Sequence, residues 1–356
     1  MKRSFSALAV LAALLVALGA AAPARAAADP NQAAQAALGW LLGRQQDNGG
    51  FAGFDAGSSA DAIFAIAAVG SDPNGVLKSG GSPVSYLGTQ AAGYAAKSPA
   101  AAGKLALAVV AAGKDPRDFG GQNLIQVIQS SYSAKTGRYG ADVTGHVYAL
   151  LALASAGQPI PPEGLDALGK LQLPDGGWSF DGSAATGSDT NTTALAIQAL
   201  VAAKAPGGAL ARGLAYLHAQ QNADGGFPYS KTSSFGADTD ANSTAVVIQA
   251  IAAAGQDPRG WKQSGGDPIE GLLKLQNSSG AFRYQAAVPD DNDLATAQAV
   301  PALLLKPFPI KTVSLPPVRP APASLPKTGG EPDLARLVGL ALLLLAAGLV
   351  LRPRSA

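Results

Sequence analysis

The chain contains no cysteine, one methionine and two histidines in 356 residues. Without cysteine there is no disulfide, no thiolate zinc site and no cysteine nucleophile, so stability rests on the core. Charge is sparse as well: Asp, Glu, Lys and Arg make up 14% of the chain, and the net charge is +2. Such a balance gives no electrostatic footprint for nucleic acid or for an acidic surface. Hydrophobic residues make up 47%, with many alanines. That is too apolar for a disordered chain, and alanine favours helices.

The two ends read as addresses. Lys2-Arg3 precedes the apolar run 7–18, and Ala24-Arg25-Ala26 has the small-x-small form of a signal-peptidase site. Residues 1–26 are therefore expected to be a cleaved secretory signal. Toward the other end, residues 307–324 hold Pro307, Pro309, Pro316, Pro317, Pro320 and Pro322, the composition of a stiff, extended linker. Leu325-Pro-Lys-Thr-Gly329 follows, then an apolar stretch from Leu337 to Leu351, then Arg352 and Arg354. This order resembles the LPXTG sorting signal of Gram-positive surface proteins. The resemblance makes residues 325–356 a sorting signal with a transmembrane segment and a positive tail kept inside. It implies sortase cleavage between Thr328 and Gly329 and linkage to cell-wall peptidoglycan. The expected location is secreted, at the cell surface, anchored to the wall or tethered by the C-terminal helix.

Between these ends, over residues 27–306, one pattern recurs. Gln45-Gln-Asp-Asn-Gly-Gly-Phe51, Gln172-Leu-Pro-Asp-Gly-Gly-Trp178, Gln221-Asn-Ala-Asp-Gly-Gly-Phe227 and Gln276-Asn-Ser-Ser-Gly-Ala-Phe282 share it, and a stretched copy runs from Gln129 to Tyr139. Self-similarity at this period marks a repeat architecture. Each copy joins two helical stretches, such as 165–172 with 193–203 and 214–221 with 244–251. A second repeat, with its turn motif largely lost, is read at 86–94 and 100–112. The second helices are apolar nearly all round, as suits burial on every side, whereas the first keep Arg44, Lys170, Arg212 and Lys274. The expected fold is all-α: about six helical hairpins in two concentric layers, closed into an α/α toroid. Gly-Gly pairs supply the turn conformations between layers.

The Gln-x-x-x-Gly-x-Trp/Phe signature resembles the QW repeat of squalene and oxidosqualene cyclases. Their toroid is shared with protein prenyltransferases, thioester domains and cobalamin carriers. In the cyclases the Gln and aromatic residue tie helix ends together, so Gln172 and Trp178 are expected to serve stability.

The polar segments before the second helices are the candidate ligand-binding collar. They contribute Asp61, Asp142, Asp189, Asn191, Asp240, Asn242 and Asp291, with His146 one turn further on. Each Asp can equally be a helix N-cap. The cyclases protonate an alkene with the middle Asp of an Asp-x-Asp-Asp-Thr-Ala motif. Asp189-Thr-Asn191-Thr-Thr-Ala194 and Asp240-Ala-Asn242-Ser-Thr-Ala245 keep that frame, but place Asn at the acid position. An amide cannot deliver that proton. Catalytic candidates are then Asp240, Asp291 and Asp293. No metal site and no cofactor are expected; a corrinoid, with His146 as cobalt ligand, is one candidate for the ligand. The favoured reading is a wall-anchored toroid that binds a small apolar or corrinoid-like molecule without catalysis. A terpene cyclase-like or polysaccharide-acting enzyme and a structural or adhesive surface protein are the alternatives.

Overall fold

The computed structural model describes residues 29–310, apart from Phe54, Pro206, Ser234 and Phe235. The expected signal peptide (1–26), Thr328, Gly329 and the rest of the sorting signal lie outside the described residues.

Among the described residues, twelve α-helices alternate between an outer and an inner layer. The outer helices are α1 (Pro30–Leu42), α3 (Pro83–Ala95), α5 (Leu124–Ser130), α7 (Pro162–Lys170), α9 (Gly208–Gln220) and α11 (Pro268–Leu273). The inner ones are α2 (Ala56–Ala68), α4 (Pro99–Ala111), α6 (Val143–Ser155), α8 (Thr190–Ala202), α10 (Ala241–Ala253) and α12 (Asp293–Leu303). Each inner helix packs on the next, α2 on α4 and so on round to α12, and α12 packs back on α2. The ring is closed, and the fold is the all-α toroid that the repeats imply.

Local sequence explains the inner layer. Asp55, Ser98, Asp142, Asp189, Asp240 and Asn292 cap the six helices, each side chain accepting a backbone N–H of the first turn. Alanine-rich sequences let these helices approach closely, and residues such as Ala65, Leu105, Ala149 and Ala199 are fully buried.

A recurring latch then joins neighbouring units. The Gln amide donates to the carbonyl that ends its own turn and to one in the next unit. Gln172 Nε2 lies 2.7 Å from the Gly176 oxygen and 2.8 Å from that of Ala209. Gln221 reaches Gly225 and Trp261 in the same way, and Gln45 reaches Gly49 and Val76. Gln276 bonds Gly280 and, 243 positions away in sequence, Ala33 on α1. The last unit thus grips the first with the bond that Gln45, Gln172 and Gln221 make to the units after theirs. Gly176 has to be glycine: its φ is +89°, and a Cβ there would lie 2.6 Å from the Arg212 carbonyl oxygen. The aromatic residue completes the latch by donating its backbone N–H to a hydroxyl on the inner helix. Phe51 donates to Ser59, Trp178 to Thr193, Phe227 to Thr244 and Phe282 to Thr296.

Three expectations need correction. The inner helices begin earlier than the apolar runs suggest, at Thr190 rather than 193 and Ala241 rather than 244, because their polar first turns already follow an Asp cap. Asp290 and Asp291 belong to a short antiparallel hairpin, β3 (Arg283–Gln285) with β4 (Val288–Asp291), of the kind that β1 (Tyr132–Ser133) and β2 (Arg138–Tyr139) form earlier. Residues 307–310, assigned to the linker, pack into the ring. No helix among the described residues is long and apolar enough to cross a membrane.

Candidate functional site

Counted from its cap, positions two, six and nine of each inner helix lie on one face, since steps of three and four return to the same side of an α-helix. In this ring that face looks inward. Position two contributes Thr144, Asn191 and Asn242; position six contributes Asp61, Lys104, Tyr148, Leu195, Val246 and Gln298; position nine contributes Phe64, Gln249 and Pro301. The latch hydroxyls stand at position four, turned into the wall.

A cavity of about 260 Å³ occupies the ring interior. Its polar end lies at the N-terminal end of the inner helices. There the loops of units four and five cap the inner helices of the units before them. The Phe180 carbonyl accepts from the Val143 N–H, and the Tyr229 carbonyl from the Thr190 N–H, both at 2.9 Å. Both aromatic side chains stand on the cavity wall, two residues beyond the Trp or Phe of the latch. Its floor is Phe308, whose ring meets Phe64 edge-on at 4.7 Å. The Phe308 N–H donates to Gln198, and the Gln249 amide donates to the Lys306 carbonyl. The strap after α12 therefore closes the far end of the ring. A second cavity, of about 400 Å³, adjoins the first across Asp61 and Ala297 and includes Asp55, Lys104 and Asp293.

The polar groups differ round the wall. Lys104 on α4 contacts Asp61 on α2 at 2.7 Å. Burial opposes the Lys104 charge, yet the Asp61 carboxylate, with Tyr148 and Tyr94, raises its pKa above the ordinary lysine value. Burial drives the Asp61 carboxyl upward, and Lys104 pulls against it. Between α10 and α12 Asn242 donates to Gln298 at 2.8 Å. Asp189 is raised by burial, against the hydrogen bond from the Thr192 N–H and the nearby Tyr229 hydroxyl, which favour its charge. Burial and the neighbouring Asp189 in turn raise Tyr229.

Of the residues singled out in the sequence, Asp61, Asp189, Asn191 and Asn242 meet on this cavity. Asp293 lines the adjoining one, paired with Arg44 at 3.1 Å. The others stand elsewhere. Asp142 caps α6. Asp240 caps α10, is 1% exposed, and has its pKa raised by burial to about 6. Asp291 is exposed and held by Asn277 and Ser279, which lower its pKa. His146 replaces the latch hydroxyl of its unit: Nδ1 accepts from the Tyr139 N–H at 3.2 Å and Nε2 meets the Gly164 carbonyl at 2.9 Å. A carbonyl only accepts, so Nε2 carries the proton and the ring is neutral; burial lowers its pKa to about 4. Neither ring nitrogen is left for cobalt. Among the described residues no cluster of three His, Asp or Glu could hold a metal.

Sequence reasoning missed Lys104, Tyr148, Tyr229 and Phe308. Lys104 left a signal, as the one charged residue in the apolar run of α4. Phe308 left none, being embedded in a proline-rich stretch.

No curated protein matches the chain in sequence. Its fold is similar to that of a protein from Actinoplanes, at 15% identity and a TM-score of 0.54, covering 78% of this chain and 99% of that one. It is similar to the type II terpene cyclase MstE from Scytonema, at 14% identity and TM-score 0.54, covering 78% and 97%. A glycosidase matches at 14% identity and TM-score 0.52, covering 78% and 96%. At such identities these likenesses speak for the fold alone. The family model of the squalene-hopene cyclase C-terminal domain matches residues 8–239, more than half of the sequence, and the chain belongs to that family.

Proposed function

We propose that the ring is a binding module which holds a small, largely apolar molecule in its interior and does not run the cyclase reaction. The carrying observation is the cavity itself: Phe64, Leu195, Val246, Pro301 and Phe308 form its body, and polar groups gather at one end. An apolar hollow with a few convergent polar groups is the usual form of a small-molecule site. At about 260 Å³ it lies below the usual range of about 300–1,000 Å³, which suits a compact ligand better than a macrocycle. The corrinoid reading thereby loses both room and cobalt ligand. At the acid position of the family motif, Asn191 and Asn242 offer amides, which cannot protonate an alkene.

A cyclase-like enzyme is the second reading, favoured by the buried carboxyl of Asp189, raised in pKa two residues from that position. Native mass spectrometry of protein purified from its own cells separates the two. A retained small molecule, lost in Val246→Trp, supports binding. Conversion of geranylgeraniol to a cyclic product, abolished in Asp189→Asn, would establish the enzyme instead.

We further propose display on the outer face of the cell, with linkage at Thr328. The support is the order of the sorting motif, apolar stretch and terminal arginines. Thr328→Ala should move the protein from the wall fraction to the membrane or medium. Unchanged wall linkage would refute it.

A further inference from the structure

We infer that the ligand carries a head of hydroxyl groups and that this head sits at the start of α8, against Asp189 and Asn191. The inference rests on the binding reading above and specifies its chemistry. Two acceptor atoms are buried there without a hydrogen bond, Oδ2 of Asp189 and Oδ1 of Asn191. Both residues line the interior cavity, and Asp189 is 1% exposed. Its other oxygen is committed to the cap, accepting the Thr192 N–H at 2.7 Å. Tyr229 interacts with the carboxyl, yet no donor meets Oδ2 in hydrogen-bonding geometry. Folded proteins leave few buried polar groups unpaired, because each forfeits its hydration. Two neighbouring acceptors on one cavity wall call for a partner that donates. Water can serve while the ring is empty, and a hydroxyl that displaces it repeats the same donation.

The type of donor follows from the charges. A carboxylate or phosphate would set acceptors against acceptors, and Lys104, the cation lining the adjoining cavity, is already held by Asp61. An ammonium group donates, but it would stand at the positive end of the α8 dipole. A neutral hydroxyl avoids both penalties. Two orphan acceptors favour two hydroxyls over one. The apolar body then lies along Leu195 and Val246 toward Phe308.

The test is calorimetric titration of the full-length protein with eight-carbon probes that differ only in the head: 1,2-octanediol, 1-octanol, octylamine and octanoate. Octane is added by displacement of a dye. The diol should bind tightest, about tenfold better than octylamine or octanoate. Asn191→Leu should erase that preference while octane binding persists. Asp189→Asn, which retains a capping side chain, should also weaken the diol. Tighter binding of octanoate or octylamine, or an unchanged diol preference in Asn191→Leu, would overturn the inference and leave the binding reading standing. If none of the five binds, the binding reading itself fails.

Discussion

Units four and five of the ring are near copies, whereas unit two shares its helices and little more. In four and five, Gln172 and Gln221, Trp178 and Phe227, Thr193 and Thr244 all perform the same bonds. In unit two the position four residues beyond the Ser98 cap is Ala102, so α4 has no latch hydroxyl. Where that joint has eroded, the wall carries the Lys104–Asp61 pair between α4 and α2. The difference separates two registers on the same helices. The cap and position four hold the ring together and tolerate few side chains. Positions two, six and nine face the interior and diverge freely, from Leu195 to Lys104. The fold persists through the first register while the site changes in the second.

Truncation of the intact side should cost most. Trp178 is fully buried and its indole N–H donates to Leu168. Trp178→Ala should lose about 3–5 kcal/mol in urea unfolding. A near-neutral result would mean that the latch does not carry the load assigned to it.

The eroded side should answer to charge. Lys104→Met strands a buried carboxylate and should lose about 3–5 kcal/mol, and adding Asp61→Leu should restore most of it. Were the double variant no better than the single, the pair would not be the joint between these units.

Acid separates unit five from unit three. Asp240 holds its proton to about pH 6, above the ordinary aspartate value of 3.8. Its folded pKa is raised, so stability falls as pH rises between about 4 and 6, by about 2–3 kcal/mol at most. His146, lowered to about 4 from 6.5, does the opposite: stability is lost as pH falls through that window. The two slopes offset each other in the wild type. Asp240→Asn should expose a melting temperature that rises from pH 4 to 6.5, and His146→Thr one that falls. Parallel profiles for both variants would contradict these assignments.

The smallest effect concerns closure. Gln276→Ala leaves the Ala33 and Gly280 carbonyls without their amide and should cost about 1–3 kcal/mol, the same as Gln172→Ala inside the series. A markedly smaller loss for Gln276 would show that the seam between last and first unit is looser than the others.

The fold was legible because the latch is written in residues that no other arrangement needs: Gln, a Gly pair and an aromatic at fixed spacing. The layers followed from polar first helices and apolar second ones. The site was legible only in part. Asp61, Asp189, Asn191 and Asn242, singled out for their place near helix starts, line the cavity, whereas Asp142 and Asp240, singled out by the same rule, cap their helices away from it. Telling position two from the cap itself requires knowing where the helix begins, which the polar first turns conceal. His146 looked like a ligand because it lies one turn into an inner helix after Asp142 and Thr144, yet it fills the place of a latch threonine. Phe308 could not be placed at all, since its contact with Phe64 joins residues at opposite ends of the repeat array.

The central claim is that a ligand lies inside this ring, and blocking the hollow tests it most directly. Val246→Trp should fill the cavity, and calorimetry should show 1,2-octanediol binding lost while the melting temperature stays within a few degrees of the wild type. Undiminished binding by that folded variant would place the ligand somewhere other than the interior and contradict the account.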